Sequence, residues 1–426
     1  MKEILIISYF YPPCSLTAAQ RPAGWVKHLH TFGYKPIVIT RNWDVTLTKP
    51  EDQLRDAGNR IIIEKTETHE IHYLPYRATL RDRLFNSSNL FLKKCSKIVT
   101  FINSIGENFS NRFIPFGDFY DYTEGLIQKH KFSSIIVTGN PFVQFRFGYL
   151  LSKKYTIPWL ADYRDDWTTS EIIQPKGKFE TLIHRLQQKT ERRWVGSTAV
   201  ITSVSPVYTD RISTFVQVPG ETIYNGFESL LSTIEKEDNT DFVIVYNGTL
   251  YDTQDVECFL RVIIRCIDTY KNSINIKVQF LGLCYDPYQE ERVKKIIKGY
   301  ESYFVLTHRI AKNEVIVYQQ NADLLLMLTH VGKKGIPSSK LYEYLSIQIP
   351  IICYPSDHDV VEETLIKTGI GILVDSEDLF YEKLSELISI KINGETWSKN
   401  ICKESLMQYS TFQQVKKLSL LIDEIS

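Results

Sequence analysis

Lys340 and Glu343 stand three residues apart in SSKLYEYL (338–345). In a helix that spacing sets a cation and a carboxylate on one face. The preceding stretch, HVGKKGIP (330–337), follows an apolar run and carries Lys333, Lys334, Gly332 and Gly335. Ser338 and Ser339 suit the cap of a helix beginning here, and Pro337 fits just outside it or at its first position. The chemistry implied is phosphate binding, because free N–H groups, the positive end of a helix dipole and formal charge converge. A carboxylate one turn further in can accept two hydrogen bonds from a ribose diol. The same residues equally suit a solvent-exposed Lys–Glu pair on an ordinary helix.

Two further stretches carry chemistry at the ends of apolar runs. In VIVYNGTLY (243–251) the run turns through Asn247, Gly248 and Thr249. A glycine there lets the backbone approach a ligand closely, and a plain turn is the simpler reading. In WLADYRDDW (159–167) a buried run ends in Asp162, Arg164, Asp165 and Asp166. Such charges are costly to bury unless paired or used. A carboxylate of Asp162 or Asp165 could serve as general base toward a hydroxyl, with Arg164 holding an anion in its planar fork. A structural ion-pair cluster fits the same residues. Asp357-His358-Asp359 has the spacing of a metal-binding acidic pair but follows its strand as a common loop would, so no metal site is expected.

The elements that must position these groups read as strand–helix alternation. Continuous apolar runs at 3–8, 35–40, 60–64, 70–74, 133–139, 157–163 and 198–204 suit parallel strands buried on both faces. Helical patterns fall between several of them. A Pro/Gly-bearing, acidic stretch around 210–240 reads as a linker, after which the alternation restarts. The expected architecture is α/β, with two Rossmann-like, doubly wound parallel-sheet domains facing a cleft. Their expected bounds are 1–220, with an insertion at about 75–120, and 241–395. A helical segment over 396–426 is expected to pack back on the first domain.

The composition narrows the function. At 426 residues the chain exceeds one hydrophobic core. Fifty basic side chains balance fifty acidic ones, which gives no field directed at nucleic acid. Seven cysteines without a CxxC pair read as reduced thiols in a cytoplasmic protein. The N-terminus does not read as a signal peptide, and no window reaches the about 18–20 apolar residues a membrane span needs.

The opening, ISYFYPPCSLTAAQRPAGW (7–25), lacks the glycines of a dinucleotide fingerprint. It reads instead as a stiff ligand-facing wall. Tyr9, Phe10 and Tyr11 offer flat surfaces for a sugar, while Thr17 to Gln20 form a candidate capping box competing with a later start at Pro22. Either start aims a helix N-terminus and Arg21 at the expected cleft.

Together these stretches resemble the GT-B glycosyltransferases, and family-4-like bacterial enzymes in particular. The matching residues are ISYFYPP with Arg21, PWLADYRDDW, VSPVY (204–208), IYNGF (223–227), YNGTLY, NADLLLML (321–328) and IPSSKLYEYLSIQIPI (336–351), in order along nearly the whole chain. The resemblance implies a nucleotide-sugar donor held by the second domain, with Glu343 on the ribose hydroxyls. Lys340 and the Gly248-Thr249 turn would lie near the diphosphate, and Arg309 and Ile310 along the base through main-chain groups. It implies transfer to a glycan or lipid-linked acceptor in bacterial surface polysaccharide synthesis, with no cofactor beyond the donor and no metal ion. One departure is plain: Gly335 stands where many members carry a second glutamate near the donor sugar, which leaves the stereochemical outcome open. A sugar-nucleotide epimerase or hydrolase, or a non-catalytic binding partner, are the alternatives.

The 75–120 insertion mixes Arg77, Arg81, Arg83, Lys93, Lys94 and Lys97 with Leu, Ile and Phe. A basic amphipathic segment suits an anionic membrane surface, making peripheral attachment at the inner membrane one expectation and internal helix packing the other.

Overall fold

The computed structural model describes every residue except 46, 48, 49, 172, 173, 176, 233–240, 337 and 398–400, and all of Pro50 but its side chain. Pro337 and the acidic end of the expected linker lie outside the described residues. The chain forms two compact units: Met1–Asn225 with Thr411–Ser426, and Gly226–Ser410.

The first unit is built on an eight-stranded sheet. Its strands are β1 (Lys2–Ser8), β2 (Tyr34–Arg41), β3 (Ile62–Lys65), β4 (Glu70–Leu74), β5 (Phe132–Gly139), β6 (Trp159–Tyr163), β7 (Val200–Ser203) and β8 (Gly220–Thr222). They are ordered β3-β4-β2-β1-β5-β6-β7-β8. Its helices are α1 (Gln20–Leu29), α2 (Leu80–Phe85), α3 (Leu90–Gly106), α4 (Asp118–Ile127), α5 (Phe145–Tyr155), α6 (Lys178–Val195) and α7 (Pro206–Val216). The order reverses between β1 and β5, so the loops after these two strands flank a topological switch point, where open α/β sheets bind ligands.

Two expectations are corrected here. The run at 60–64 gives β3, which pairs antiparallel to β4 and is exposed along its length. The turn joining it to β4 is too short for a parallel crossover. The 210–240 stretch is not all linker, because α7 and the edge strand β8 occupy its start.

The second unit carries β9 (Phe242–Asn247), β10 (Ile276–Leu281), β11 (Phe304–Leu306), β12 (Leu324–Leu328), β13 (Ile351–Tyr354) and β14 (Gly371–Leu373). Every pairing is parallel, in the order β11-β10-β9-β12-β13-β14. The order reverses between β9 and β12. Its helices are α8 (Val256–Tyr270), α9 (Pro287–Ile296), α10 (Lys312–Gln320), α11 (Ser339–Ile347), α12 (Val360–Thr368), α13 (Glu377–Ile392) and α14 (Lys403–Met407). Its core joins Ile244, Tyr246 and Leu326 of the sheet to Phe259, Ile263 and Phe380 of the helices.

The last helix, α15 (Thr411–Ile425), belongs to the first unit. Val415, Leu418 and Ile422 recur at helical spacing and are fully buried against Trp25, Val26 and Leu29 of α1. Asp423 accepts a hydrogen bond from the Tyr34 hydroxyl at 2.5 Å, fastening the chain's end to β2. The expected continuous terminal helix is interrupted between α14 and α15, at Gln408–Ser410. Leu418→Ala should therefore cost the first unit about 2–5 kcal/mol in urea unfolding. A loss under about 1 kcal/mol would mean that α15 is not part of its core.

Candidate functional site

In the second unit the loops after β9 and β12 converge at the switch point. Ser338 caps α11 by accepting a hydrogen bond from the Lys340 N–H, and Ser339 is the first helical residue. Leu341, Tyr342, Tyr344 and Leu345 bury the far face of α11. This turns Lys340 and Glu343 toward the β9 end. Lys340 Nζ donates to the Tyr246 hydroxyl at 2.7 Å and lies 4.2 Å from the centre of that ring. Among the described residues no carboxylate comes within ion-pair distance of it. Part of the residue stays open to solvent, yet its ammonium is desolvated. Burial, opposed by the charge of Glu343, pushes its pKa down to about 7.

Glu343 accepts from Asn247 Nδ2 at 3.3 Å. Burial raises its pKa, with Lys312 and Lys340 pulling the other way. The Tyr344 hydroxyl accepts the Asn247 N–H at 3.0 Å, tying α11 to the strand end. Gly248 sits at φ +98°, and a Cβ there would come 2.9 Å from Lys340 Cε, so only glycine keeps both the turn and the lysine. Thr249 contributes its carbonyl, which accepts from the Tyr246 hydroxyl at 3.1 Å.

Sequence reasoning missed Gly282, at φ +88°, which follows β10 beside Gly248. A Cβ on it would lie 3.7 Å from Gly248 Cα. The signal was present, since two successive apolar runs each end in glycine. The Gly282 N–H donates to Thr307 Oγ1 at 3.0 Å, which joins the loop after β11 to this edge. Arg309 lies two residues beyond, exposed, with its guanidinium 5.1 Å from the Tyr285 ring, and Ile310 is half-buried. Lys333 is half-buried in the turn after β12, its N–H donating to the His330 carbonyl at 3.1 Å. Asp359 accepts from the Gly335 N–H, while the Asp357 carboxylate takes the N–H groups of Asp359, Val361 and Glu362. Asp357 thus serves the start of α12, and Asp359 the turn that bears Gly335. Among the described residues no group of three metal-type side chains converges.

In the first unit the candidate residues divide differently. Asp162, at the end of β6, is fully buried and receives Arg21 Nη2 at 2.7 Å and Nε at 3.1 Å, with Thr202 Oγ1 at 2.7 Å. Arg21 Nη1 donates to the Ile223 carbonyl at 2.7 Å. Arg21 and Asp162 thus spend their charges on each other, as a strut between α1 and the sheet. Arg164 and Asp165 form an adjacent pair, with Asp165 exposed and Arg164 half-buried. The capping box does not form: α1 continues from a 3-10 turn at Thr17–Ala19, Thr17 is exposed, and Ala19 makes no side-chain cap. Pro22 is tolerated in the first turn of α1, where its fixed φ suits the helix.

The opening loop is also less open than its sequence suggests. Tyr9 and Tyr11 are 7% and 6% exposed. Arg41 donates to the Tyr9 hydroxyl at 2.6 Å and lies 3.8 Å from the Tyr76 ring and 4.2 Å from that of Trp43. Of the three aromatics only Phe10, stacked on Trp43, keeps partial exposure.

Glu191 of α6 was not foreseen. It is fully buried, accepting from the Tyr163 hydroxyl at 2.9 Å and from the Thr168 N–H at 3.2 Å, and so fixes both ends of the Arg164–Asp165 loop. Burial pushes its pKa up to about 7. A cavity of about 900 Å³ lies elsewhere in this unit, lined by Arg77, Arg112, Arg146, Asp118 and Asp121 among others, and by none of the residues singled out above for chemistry.

Solved structures match along the whole chain. The α,α-trehalose-phosphate synthase (UDP-forming) of Burkholderia xenovorans, in complex with glucose-6-phosphate, has a TM-score of 0.66 at 8% identity, over 99% of this chain and 100% of that one. A glycosyltransferase of Rickettsia africae has 0.64 at 13% identity, over 100% and 98%. The fold is that of the GT-B glycosyltransferases. A Listeria monocytogenes protein assigned as a UDP-N-acetylglucosamine 2-epimerase also shares this GT-B arrangement, at a TM-score of 0.51 and 10% identity over 100% and 96%. No protein-family model and no curated protein sequence matches the chain.

Two outcomes follow for this GT-B chain. Asp162→Asn strands the Arg21 charge in the interior and should cost about 3–5 kcal/mol by urea unfolding; a loss under about 1 kcal/mol would mean that the strut is not needed. For Glu191 the native pKa lies above the unfolded value near 4.5, so the folded form binds the extra proton. Its contribution is present below pH 4.5 and lost as the pH rises through 7. Glu191→Gln should remove on the order of 3 kcal/mol of that decline, read as melting temperature against pH. A decline as steep in the variant would exclude Glu191 as its source.

Proposed function

We propose that this chain is a nucleotide-sugar-dependent glycosyltransferase. The observation that carries the reading is the desolvated Lys340, without an ion pair among the described residues, beside the Gly248–Gly282 edge and the first turn of α11, with Glu343 one turn further along. A nucleoside diphosphate fits the chemistry of that edge. Its phosphates would take the Lys340 ammonium and the positive end of the α11 dipole, and its ribose diol the Glu343 carboxylate. Lys333 adds charge from the turn after β12, and main-chain groups at Arg309 and Ile310 suit the base.

Glycosyl transfer breaks the bond between the anomeric carbon and the diphosphate, and negative charge grows on the leaving group. Lys340 and the helix end stabilise that charge as it develops. No metal ion or other cofactor is part of the proposal, and the donor is a substrate. We assign the acceptor, a glycan or a lipid-linked glycan of bacterial surface polysaccharide synthesis, to the first unit. Asp165, held beside Arg164 on the loop that Glu191 fixes, is the carboxylate there with the solvent access a base requires. Arg21 and Asp162 act on that loop as positioning residues, and Tyr11 and Thr17 shape the loop after β1. The working location is the cytoplasm, at the inner face of the membrane.

The test is donor turnover, measured as nucleoside diphosphate release with and without acceptor extracts across a panel of UDP-, GDP-, ADP- and TDP-sugars. Release that needs acceptor is expected, and Glu343→Ala should lower kcat/KM by roughly 10- to 1,000-fold through the lost ribose contacts. Wild-type turnover in Glu343→Ala would overturn the donor site. Interconversion or hydrolysis of the sugar nucleotide without acceptor would point to an epimerase or hydrolase, and binding without any turnover to a non-catalytic partner.

A further inference from the structure

The α3 helix of the first unit is inside out. Phe91, Ile98, Ile102 and Ile105 are spaced by 7, 4 and 3 residues and so form one stripe, which faces solvent. Phe91 is 71% exposed and Ile98 61%, and Phe109, just past the helix, is 77%. The fully buried positions of α3 are Ser96 and Gly106 instead. A helix that packs only on its own domain shows the opposite pattern.

The neighbouring α6 repeats it. Phe179, Leu182 and Leu186 form a second exposed stripe at helical spacing, and the rings of Phe179 and Phe101 meet at 4.7 Å, which joins the two helices. Isolated exposed apolar residues are ordinary, but a continuous face of them marks a contact surface.

The charge around this face identifies what covers it. Leu90–Gly106 contains no acidic residue, and Lys93, Lys94 and Lys97 are all exposed, Lys94 next to the stripe and the other two further round the helix. Lys178, Arg185 and Lys189 are exposed on α6, against Glu180. Interfaces between protein copies are depleted in lysine. Exposed lysines on a helix with an exposed apolar stripe and no acidic side chain suit a layer of anionic headgroups over acyl chains.

We propose that the α3–α6 face docks on the surface of an anionic lipid bilayer, with the Phe and Ile stripe in the headgroup–acyl boundary and the lysines on lipid phosphates. The surface is separate from the donor site, so the inference does not depend on the donor reading. It also specifies which part of the 75–120 insertion meets lipid and adds α6 to it.

Flotation of the full chain with phosphatidylcholine vesicles, with and without phosphatidylglycerol, tests it. Partitioning should be at least ~10-fold stronger with phosphatidylglycerol present. The F91S/I98S/I102S variant should lose ~10-fold or more of that binding, and K93E/K94E/K97E should lose the preference for anionic lipid. Both should melt at the wild-type temperature, because the altered side chains are exposed. Should the α3 variant unfold, L182S/L186S on α6 carries the same expectation. Failure to float with anionic vesicles, or binding unchanged in folded variants of both kinds, would overturn the proposal. So would self-association in sedimentation velocity that F91S/I98S/I102S abolishes, since a second copy would then be the occupant.

Discussion

A buried lysine with no carboxylate partner among the described residues is the constraint around which the second unit's candidate site is arranged. Burying an ammonium is unfavourable, and Lys340 meets that cost by losing proton affinity and donating to Tyr246. Nothing in the hydrophobic core requires a lysine there. The position is enforced by α11, whose other face is fixed by Leu341, Tyr344 and Leu345, and by Gly248, whose missing side chain leaves room for the lysine's own. An anion at this edge would turn the local cost into an attraction, which is how a site can be strained alone and relaxed when filled.

The first unit handles charge in the opposite way. Arg21 and Asp162 satisfy each other and neighbouring polar groups, so their energy goes into holding α1 against β6. Burial raises the Glu191 pKa, and its hydrogen bonds hold the loop bearing Arg164 and Asp165. Such anchoring leaves Asp165 exposed on a held loop while Asp162, the other carboxylate read as a candidate base, is spent on Arg21.

The strands were legible because runs buried on both faces are continuous in Val and Ile, and the restart of alternation after residue 240 exposed the two-unit plan. Lys340, Glu343 and Gly248 were legible because cap, charge and glycine fall within short windows. The Arg21–Asp162 pair was not, since its members are 141 residues apart and each alone reads as available chemistry. Tyr9 and Tyr11 misled for a related reason: an aromatic side chain suits a sugar and a core equally, and only the fold reveals Arg41 against Tyr9 and the apolar cluster around Tyr11. The direction of β3 depended on one turn's length, and α3's polarity on which face the rest of the unit covers.

Isothermal titration of the protein with UDP at pH 8, in buffers of different ionisation enthalpy, tests the central claim most directly. Lys340, with its pKa lowered to about 7, is then mostly neutral before binding, and a diphosphate beside it must raise its proton affinity. The account predicts uptake of a large fraction of one proton per UDP bound, lost in Lys340→Met together with most of the affinity. Binding without proton uptake, or uptake that persists unchanged in Lys340→Met, would contradict it.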